Sequence, residues 1–410
     1  MMDAHAAEIR PTWFQEKLLL GMSWSNYLKT LLTPFNAVMA VILLIGVPLM
    51  AYRILFGLGP ATNLSDYNPW GLWIGFDMLA GISVASGGFC IATAVHIFGV
   101  KEYEHMVRPA LVGGTLGYFF AVVGLIFDLG RYYRIPYPFF VSPGPNSILF
   151  LVALSVALYL HCQFFEWCPA IFEWLNLKKL RNWWVKGTLG LTIFGVILTT
   201  GHQSALGALF LLMPSKLHPL WYSDFISLLF FVSAICGGIT MVVIESMISH
   251  RVFGHKSRDE DPAHFDNLTL GLGKAAAIVL FAYLFLKVLD LAHDDKWGLL
   301  ATPYGYWYLV EVLGFVVVPM FIMIYAYQNR IATMVRAASI LVVIGILLNR
   351  VNVTIVAFNW NLPWKFRYVP SWIEVAITIT IIAIGVMTFR AIVNRMPILS
   401  EHPEFKGSAH

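Results

Sequence analysis

Three residues early in the chain have the types and spacing of a binding site for a flat, apolar molecule. Trp70, Trp73 and Asp77 recur at positions i, i+3 and i+7, so an α-helix would place them on one face. Gly81 and Gly88 continue this stripe and would leave a groove beside it. Aromatic rings above a buried carboxyl group suit a ring-shaped ligand whose oxygens exchange protons. A tryptophan belt with a hydrogen-bonded Asp77 is the structural alternative.

His202 is the second candidate, and it lies beside Gln203 deep within a later apolar stretch. Pro214 ends that stretch about three helical turns further on, so His202 is expected near the centre of the membrane. Imidazole is the side chain best suited to exchange a proton near neutral pH. A lone histidine also occurs as an ordinary hydrogen-bond partner between helices, so both interpretations stay open.

Charged residues in other apolar stretches form two further sets. Asp128 and Arg131, at i and i+3, can form an ion pair that anchors a helix end or shapes the mouth of a cavity. The second set lies toward the same membrane face and comprises Lys287, Asp290, Glu311, Arg350 and Glu374. Because an isolated charge inside a membrane is costly, we expect Glu311 or Glu374 to pair with Arg350.

Three polar residues in the opposite half of the membrane mark a candidate proton route. They are His96, Glu245 and Lys274, and they would deliver protons toward Asp77 and His202. Long side chains near a membrane surface can also extend into water, and two of the three lie close enough to do so. A purely structural role for them therefore stays open.

All of these residues belong to a chain with the composition of an integral membrane protein. Of its 410 residues, 59% are hydrophobic and only 12% are charged, whereas soluble domains carry about 25% charged residues. The segment from Trp13 to Leu32 has the spacing of an interfacial amphipathic helix. We predict an all-α fold with ten transmembrane helices, near residues 36–58, 70–98, 107–130, 146–165, 187–213, 224–249, 269–290, 306–328, 334–358 and 370–393.

The distribution of basic residues predicts that both termini are cytoplasmic. With that orientation, the inner loops and termini hold 17 of the 27 Lys and Arg residues. The outer loops are instead rich in Trp, Tyr and Pro. This aromatic outer rim is typical of an interfacial anchor, and equally of a docking platform for another subunit.

Two similar motifs divide the ten predicted helices into two units. Ser86-Gly87-Gly88 lies in the second helix, and Cys236-Gly237-Gly238 lies in the sixth. An offset of four helices preserves orientation, so we predict two four-helix bundles with two peripheral helices. The corresponding segments are an N-terminal segment (1–35), a peripheral helix and outer loop (36–69), a first bundle (70–213), a second bundle (214–358), and a last helix with its tail (359–410).

Metal centres are not expected within this chain. Its four cysteines form no CxxC pair, so iron–sulfur ligation is not predicted. A membrane haem needs histidines that face one another in pairs, and only His202 lies deep in a predicted helix. Two haems are excluded by this count, and one haem between His96 and His161 stays as the alternative.

Several of these motifs resemble the HybB-like branch of the NrfD/PsrC family. The resemblance rests on Asn68-Pro69-Trp70-Gly71-Leu72-Trp73-Ile74-Gly75, on the stretch from Gly201-His202-Gln203-Ser204-Ala205-Leu206-Gly207 to Lys216-Leu217-His218-Pro219-Leu220-Trp221, and on Asp128-Leu129-Gly130-Arg131. It covers about residues 36–395. Tyr132 stands where the family usually has proline, which bears on the shape of that loop alone.

The resemblance implies a haem-free membrane subunit of a periplasm-facing respiratory complex in the bacterial cytoplasmic membrane. Menaquinone or ubiquinone would bind as the substrate, and we predict that Trp70, Trp73, Asp77, His202 and Gln203 form its site. Electrons would pass between the quinone and a ferredoxin-like iron–sulfur subunit docked on the outer face. A larger catalytic subunit or a multihaem cytochrome c would lie beyond it.

This reading makes the chain a quinone reductase subunit that is inactive alone, embedded in lipid and without a nucleic-acid partner. If protons for quinone reduction come from the cytoplasm, the reaction is electrogenic. A secondary transporter with parallel repeats is the main alternative, since it also combines repeats with buried charges. An inert anchor for a periplasmic complex is the third interpretation.

Overall fold

The computed structural model describes residues 12–254 and 261–399, which are almost entirely helical. Ten of the described helices are long and apolar enough to cross a membrane, which confirms the polytopic all-α fold. They are α1 (Pro34–Phe56), α2 (Trp73–Ile97), α3 (Lys101–Asp128), α4 (Ile148–Trp174), α5 (Thr188–Leu212), α6 (Ile226–Phe253), α7 (Pro262–His293), α8 (Pro303–Gln328), α9 (Ala332–Val356) and α10 (Trp372–Arg395). We call the end at which α1 meets α2 outer, and the opposite end inner.

The helices differ from the predicted spans mainly at their ends. The single interfacial helix expected from Trp13 to Leu32 is two short helices, Trp13–Lys17 and Trp24–Thr30. They are separated at Leu20 and Gly21, whose φ angles of 56° and 76° are incompatible with a continuous right-handed helix. Helix α4 is longer than predicted, because it continues through Pro169 to Trp174.

Two groups of four helices form the body of the molecule. Helices α2 to α5 pack in a ring, and α6 to α9 form a second ring in the same order. The rings meet where α2 packs on α6 and α9, and where α5 packs on α6. Helices α1 and α10 pair with each other and pack on α3. The division of the chain at residues 70, 214 and 359 into separate units stays a prediction.

The contact between the rings is formed by the two glycine motifs. A Cβ atom built on Gly238 of α6 would lie 2.9 Å from the backbone nitrogen of Gly87 in α2. The Ser86 hydroxyl crosses the same contact and donates to the Ala234 carbonyl at 2.6 Å. Small residues let membrane helices approach this closely and form interhelical hydrogen bonds. The motifs that indicated a repeat in the sequence therefore join its two halves.

Several transmembrane helices contain π-helical turns, in which the hydrogen bonds span five residues. The outer end of α2 is π-helical over Trp73–Ala80, and its inner end over Thr93–Ile97. Helices α8 and α9 have such turns over Leu313–Val317 and Asn352–Val356. Each turn holds more than 3.6 residues, so side chains in these segments face directions that an ideal α-helix does not predict.

Candidate functional site

The two tryptophans that were predicted to share a helix face have different neighbours. Trp70 precedes α2, and its ring packs against Phe210 and Phe358 at centroid distances of 5.7 and 5.9 Å. Trp73 begins α2 and is fully buried, with its ring 6.1 Å from that of Phe127 at the outer end of α3. Trp70 therefore packs against the ends of α5 and α9, whereas Trp73 packs in a cluster with residues of α3 and α10.

Asp77 lies at the junction of α2, α3 and α10. One carboxylate oxygen, Oδ2, accepts a hydrogen bond from the Thr378 hydroxyl of α10 at 2.8 Å. On the α3 side, Gly124 makes room for it, since a Cβ atom there would lie 2.7 Å from Asp77 Cβ. Trp73 and Asp77 are four residues apart and therefore lie on similar sides of α2, as they would in an α-helix or in a π-helix.

Asp128, the last residue of α3, lies beside the fully buried Arg53 of α1. Arg53 donates hydrogen bonds to the Phe127 and Leu129 carbonyls, each at 2.8 Å, and so fixes the end of α3. Arg131 is exposed, and no ion pair between it and Asp128 is present in the described part of the chain. The structure thus does not bring the predicted pair together, because Arg53 supplies the positive charge instead.

Glu374 lies in the first turn of α10 and is fully buried. It accepts hydrogen bonds from the backbone N–H groups of Ser371 and Asn63, at 2.8 and 3.2 Å, and from the Tyr368 hydroxyl. Burial and the adjacent Glu374 carboxylate raise the pKa of Tyr368 well above its ordinary value, so its hydroxyl remains a donor. Glu374 therefore ties α10 to the outer loops and does not pair with Arg350.

Together these residues form what we call the outer acid cluster: Asp77, Asp128 and Glu374 with Arg53. Asp128 and Glu374 are close enough to interact electrostatically. Two buried polar atoms in this region, Trp73 Nε1 and Asp128 Oδ1, have no hydrogen-bond partner among residues 12–254 and 261–399. An unpaired donor beside this cluster and an unpaired acceptor within it are available to a ligand, as are other unpaired buried atoms of the described residues such as His202 Nδ1 and Gln203 Oε1.

His202 and Gln203 lie inside the first ring of helices, where both are fully buried. His202 Nε2 is 2.8 Å from the Tyr118 hydroxyl of α3, and Gln203 Nε2 donates to the same hydroxyl at 3.1 Å. The Tyr159 ring of α4 packs 4.8 Å from Tyr118 and 5.4 Å from His202. We call these four residues the central histidine group.

The central histidine group is separate from the outer acid cluster. Within the described residues, neither a hydrogen bond nor a ring contact joins His202 to Asp77. Their partners on α3, Tyr118 and Gly124, are six residues apart, which is about 9 Å along the helix. The single site expected from Trp70, Trp73, Asp77, His202 and Gln203 is therefore divided between two depths of the first ring.

The second ring contains a hydrogen-bond network centred on Glu311 of α8. Its carboxylate accepts from Trp221 Nε1 at 2.8 Å, Asn349 Nδ2 at 2.7 Å and Asn352 Nδ2 at 2.6 Å. Asn349 also accepts from Arg350 at 2.8 Å, so an amide links the two charges. The direct ion pair expected between Arg350 and Glu311 is therefore replaced by a bridge through one neutral side chain.

The remaining members of the predicted second-ring set lie nearby with other partners. Asp290 forms an ion pair with Lys296, whose Nζ lies 3.2 Å from each carboxylate oxygen. Lys287 is buried, with its Nζ 5.2 Å from the Tyr308 ring centroid and 5.7 Å from that of Tyr283. Four members of the predicted set thus form one network, one ion pair and one lysine held against aromatic rings, whereas the fifth, Glu374, belongs to the outer acid cluster.

The three residues of the predicted proton route lie in three separate parts of the molecule. His96 Nδ1 is 2.9 Å from the Thr192 hydroxyl, inside the first ring. Glu245 of α6 lies against Gly113 of α3, where a Cβ atom would be 2.4 Å from its carboxylate. Lys274 is exposed on α7, with its Nζ 5.1 Å from the Tyr327 ring. The structure does not connect these three residues.

Sequence reasoning missed four buried polar residues: Tyr118, Gln163, Glu166 and His218. Glu166 was placed beyond a span expected to end at residue 165, but α4 continues past it and buries it. Tyr118 and Gln163 are uncharged and did not interrupt apolar stretches. A search for polar residues repeated at helical spacing would have found Gln163 and Glu166, which follow Tyr159 on α4 by four and seven residues.

The histidines considered as haem ligands have other partners. The ring of His161 is exposed on α4 and bonds the Ala157 carbonyl of its own helix at 2.7 Å, while His96 bonds Thr192. Within the described ranges, no group of three or more His, Cys, Asp and Glu residues could hold a metal ion. That the chain functions without haem or iron–sulfur clusters stays a prediction.

Comparison with known proteins places the chain among membrane subunits of redox enzymes. It is 47% identical over 387 residues to a protein of Nitratidesulfovibrio vulgaris, covering 94% of this chain and all of the relative. The probable Ni/Fe-hydrogenase 2 b-type cytochrome subunit of Escherichia coli is 30% identical over 368 residues, or 88% and 91% of the two chains. The integral membrane subunit of menaquinone reductase of N. vulgaris is 27% identical, covering 86% and 89%.

A family model agrees with these relatives and with the ten-helix fold. It is described as polysulphide reductase, NrfD, and it matches residues 60–360. The match contains α2 to α9, which are both rings of four helices. It also contains the NPWGLW and HQSALG motifs that carried the resemblance. The chain therefore belongs to the NrfD family of membrane proteins.

Proposed function

We propose that this chain is the quinone-exchanging membrane subunit of a respiratory redox complex, and that it binds the quinone head at the outer acid cluster. Its family and the names of its hydrogenase and menaquinone reductase relatives support a role within a complex. An iron–sulfur subunit on the outer face would exchange electrons with the quinone. Asp77 is four residues from the outer end of α2, so about one helical turn separates the cluster from that face.

The observation that carries this proposal is the pair of unpartnered polar atoms at the outer acid cluster. Trp73 Nε1–H can donate to a quinone carbonyl, and Asp128 Oδ1 can accept from the hydroxyl of the reduced quinol. Phe127, next to Asp128 in the chain, packs against the Trp73 ring and adds an apolar surface for the quinone ring. The cluster thus offers both hydrogen-bonding roles that the two redox forms of a quinone need.

The charges of the cluster also suit quinone chemistry. Reduction of a quinone to a quinol adds two electrons and two protons. Arg53 is held in place by two backbone carbonyls, so its positive charge can stabilise negative charge that develops on a quinone oxygen. Asp128 and Asp77 are the carboxyl groups that would exchange protons with that oxygen. Their positions at the outer end favour electron delivery from outside the membrane.

Proton uptake from the inner side would make quinone reduction electrogenic. Electrons would then arrive from one face and protons from the other, without net charge on the quinone. Transfer of one charge across 100 mV corresponds to about 2.3 kcal/mol, so the side from which the protons come decides whether the reaction conserves energy. The proposed function therefore includes electrogenic reduction of menaquinone or ubiquinone, with protons taken up from the inner side.

Binding of a fluorescent quinone analogue, such as a hydroxyquinoline N-oxide, tests the site in the purified chain. We expect Trp73→Phe and Asp128→Asn each to weaken binding about tenfold, because the first removes the indole N–H donor and the second replaces a carboxylate acceptor with a weaker neutral one. Two matched control variants, Trp364→Phe and Asp66→Asn, alter exposed residues of the outer loops. They should bind the analogue with wild-type affinity.

Each alternative site gives a different result in this experiment. Unchanged binding by both Trp73→Phe and Asp128→Asn would refute the outer acid cluster as the quinone site. A loss of analogue binding that only His202→Gln causes would instead place the quinone site at the central histidine group. A wild-type chain that fails to bind quinone analogues would contradict the proposed function itself and favour an anchor or a transporter.

A further inference from the structure

A pocket lies at the inner end of the molecule, where α4 and α10 both end. It has a volume of about 270 Å³, and we call it the inner pocket. Its basic lining residues are Lys17, from the first short N-terminal helix, and Arg395, the last residue of α10. Leu20, Trp174 and Ile398 add apolar surface to the lining. The inner pocket therefore combines two cationic side chains with apolar walls at the ends of two transmembrane helices.

The positive charge of this lining exceeds its negative charge. Arg395 donates hydrogen bonds to two backbone carbonyls, at 3.2 and 3.1 Å, and to the Tyr27 hydroxyl. Each of these acceptors is neutral. Glu16 also lines the pocket, but its side chain is largely exposed and lies 3.6 Å from Lys17. Among the described lining residues, one carboxylate thus accompanies two cations, so the inner pocket suits a ligand with one negative charge.

A short basic helix, Lys178–Val185, lies between α4 and α5 at the same end of the molecule, and we call it the inner short helix. Its Trp184 indole packs against the inner end of α4, which fixes the rotation of the helix. Another face carries Lys179, Trp183 and Lys186, at i, i+4 and i+7, and all three are exposed. A helix face with basic residues around an indole is typical of helices that lie among lipid headgroups.

Buried ion pairs connect the inner short helix to the inner pocket. Glu173 of α4 accepts a hydrogen bond from Arg181 of the inner short helix at 3.1 Å, and two more from Arg108 of α3 at 2.8 and 2.9 Å. Arg108 also donates to the Pro397 carbonyl at 3.2 Å, and Pro397 lines the pocket. The helix and the pocket are therefore held by the same ends of α3 and α4.

Exposed tryptophans mark the level of a membrane surface at this end. Trp13 and Trp183 are 57% and 68% exposed, and the Trp13 ring lies 6.2 Å from that of Trp174 in the pocket wall. Tryptophan is enriched where headgroups meet hydrocarbon. Val386, seven residues before the pocket residue Val393, lies on a similar side of α10 and is exposed. An acyl chain that leaves the pocket toward the membrane centre would therefore meet apolar surface.

We propose that the inner pocket binds the phosphate group of an anionic phospholipid, and that the exposed face of the inner short helix lies in the same layer of headgroups. Lys17 and Arg395 hold the phosphate, for which a guanidinium and an ammonium are the suitable donors. Residues 174–223 include no acidic side chain that would repel further anionic headgroups near Lys179 and Lys186. A zwitterionic phospholipid carries its own cation, so the pocket should favour the anionic lipid. This site is at the opposite end from the outer acid cluster.

Native mass spectrometry of the purified full-length chain tests the pocket, with phosphatidylglycerol and phosphatidylcholine of equal acyl chains as probes. We expect phosphatidylglycerol to bind about tenfold more tightly, and Lys17→Gln and Arg395→Gln each to weaken its binding about fivefold, the usual contribution of one basic residue at an anionic surface. The matched control variants Arg134→Gln and Lys365→Gln remove exposed charges at the outer end. Both should bind phosphatidylglycerol with wild-type affinity.

Further measurements separate a lipid site from a structural role of Arg395. Arg395→Lys keeps the charge but not the geometry of the guanidinium hydrogen bonds, and should bind phosphatidylglycerol with nearly wild-type affinity. Binding as weak as in Arg395→Gln would overturn the proposal. Equal affinities of the wild-type chain for the two lipids, or equal losses in the control variants, would also overturn it. Displacement of phosphatidylglycerol by inorganic phosphate would reassign the pocket to a soluble anion and so refute the lipid site.

Discussion

Neutral acceptors receive the hydrogen bonds of Arg53 and Arg350, the two fully buried arginines among residues 12–254 and 261–399. Arg350 donates to the Ser233 hydroxyl at 2.8 Å and to the Phe230 carbonyl at 3.2 Å, and also contacts Ser83 and Asn349. The sequence argument that a buried arginine needs an acidic partner failed here, because a guanidinium has five N–H donors that carbonyls and hydroxyls can satisfy. Such contacts cannot be read from sequence, since their acceptors lie on other helices.

His218 combines burial with a hydrogen bond that only a neutral ring can accept. Its Nδ1 accepts from the Leu220 backbone N–H at 3.2 Å, and its ring stacks on Tyr304 at 4.6 Å. Burial lowers the pKa of His218 to about 4, from an ordinary value near 6.5. The neutral form is therefore favoured in the folded protein and packs between α5 and α6 at the outer end.

A pH titration of thermal stability tests this role of His218. The unfolded chain binds a proton near pH 6.5 and the folded chain only near pH 4, so the stabilisation is complete above pH 6.5 and is lost as the pH falls toward 4. The loss should reach up to about 3 kcal/mol. In His218→Gln, which cannot be protonated, the pH dependence between 6.5 and 4 should be shallower. Parallel curves for the two proteins would contradict this assignment.

At the scale of helices, spacing predicted a shared face only for residues that lie within one helix. The face predicted for Trp70, Trp73 and Asp77 assumed one continuous α-helix, but α2 begins at Trp73 with a π-helical segment, so only Trp73 and Asp77 lie on similar sides of it. Helix α4 is α-helical, so Tyr159, Gln163 and Glu166 line one side of it, although the sequence analysis had not singled them out. Sequence carries no simple signal for a π turn, since the wider turn depends on tertiary packing.

The contact between α2 and α6 gives a prediction for helix packing. A methyl group on Gly238 would lie 2.6 Å from Ser86 Oγ and 2.8 Å from the Ser86 carbonyl carbon, so the helices must separate. Gly238→Ala should destabilise the protein by about 1 to 3 kcal/mol, measured as a lower melting temperature in detergent. Gly190→Ala on α5 is the matched control, because no atom lies within 4 Å of its new methyl group. Equal melting temperatures for the two variants would exclude a tight contact.

At the scale of the whole molecule, the sequence predicted the number and order of the transmembrane helices. Each apolar stretch gave one helix, because a backbone inside a bilayer must satisfy its own hydrogen bonds. What sequence did not reveal is which helices surround each buried group. Asp77 bonds Thr378, some 301 positions away, and α10 had been considered peripheral. Contacts at such separation are set by tertiary packing.

Labelling of introduced cysteines tests the predicted orientation, with both termini in the cytoplasm. Asp66→Cys lies in an exposed outer loop, and Lys179→Cys lies in the exposed short helix between α4 and α5 at the inner end. In cells with a permeabilised outer membrane, a membrane-impermeant maleimide should label Asp66→Cys at least tenfold more than Lys179→Cys. Disruption of the cytoplasmic membrane should make the two equal. The reverse pattern would invert the orientation and, with it, the face on which a redox partner docks.

The π-helical segment Trp73–Ala80 has the same effect as one extra residue inserted into an α-helix. Deleting a single residue from this segment would let it return to 3.6 residues per turn and would rotate everything before it by about 100° around the axis of α2. The indole that now packs with α3 and α10 would then point elsewhere, while Gly87 would keep its contact with α6. Related chains that are one residue shorter here will consequently present a different side chain to the ring of Phe127, and can be expected to prefer ligands of another shape.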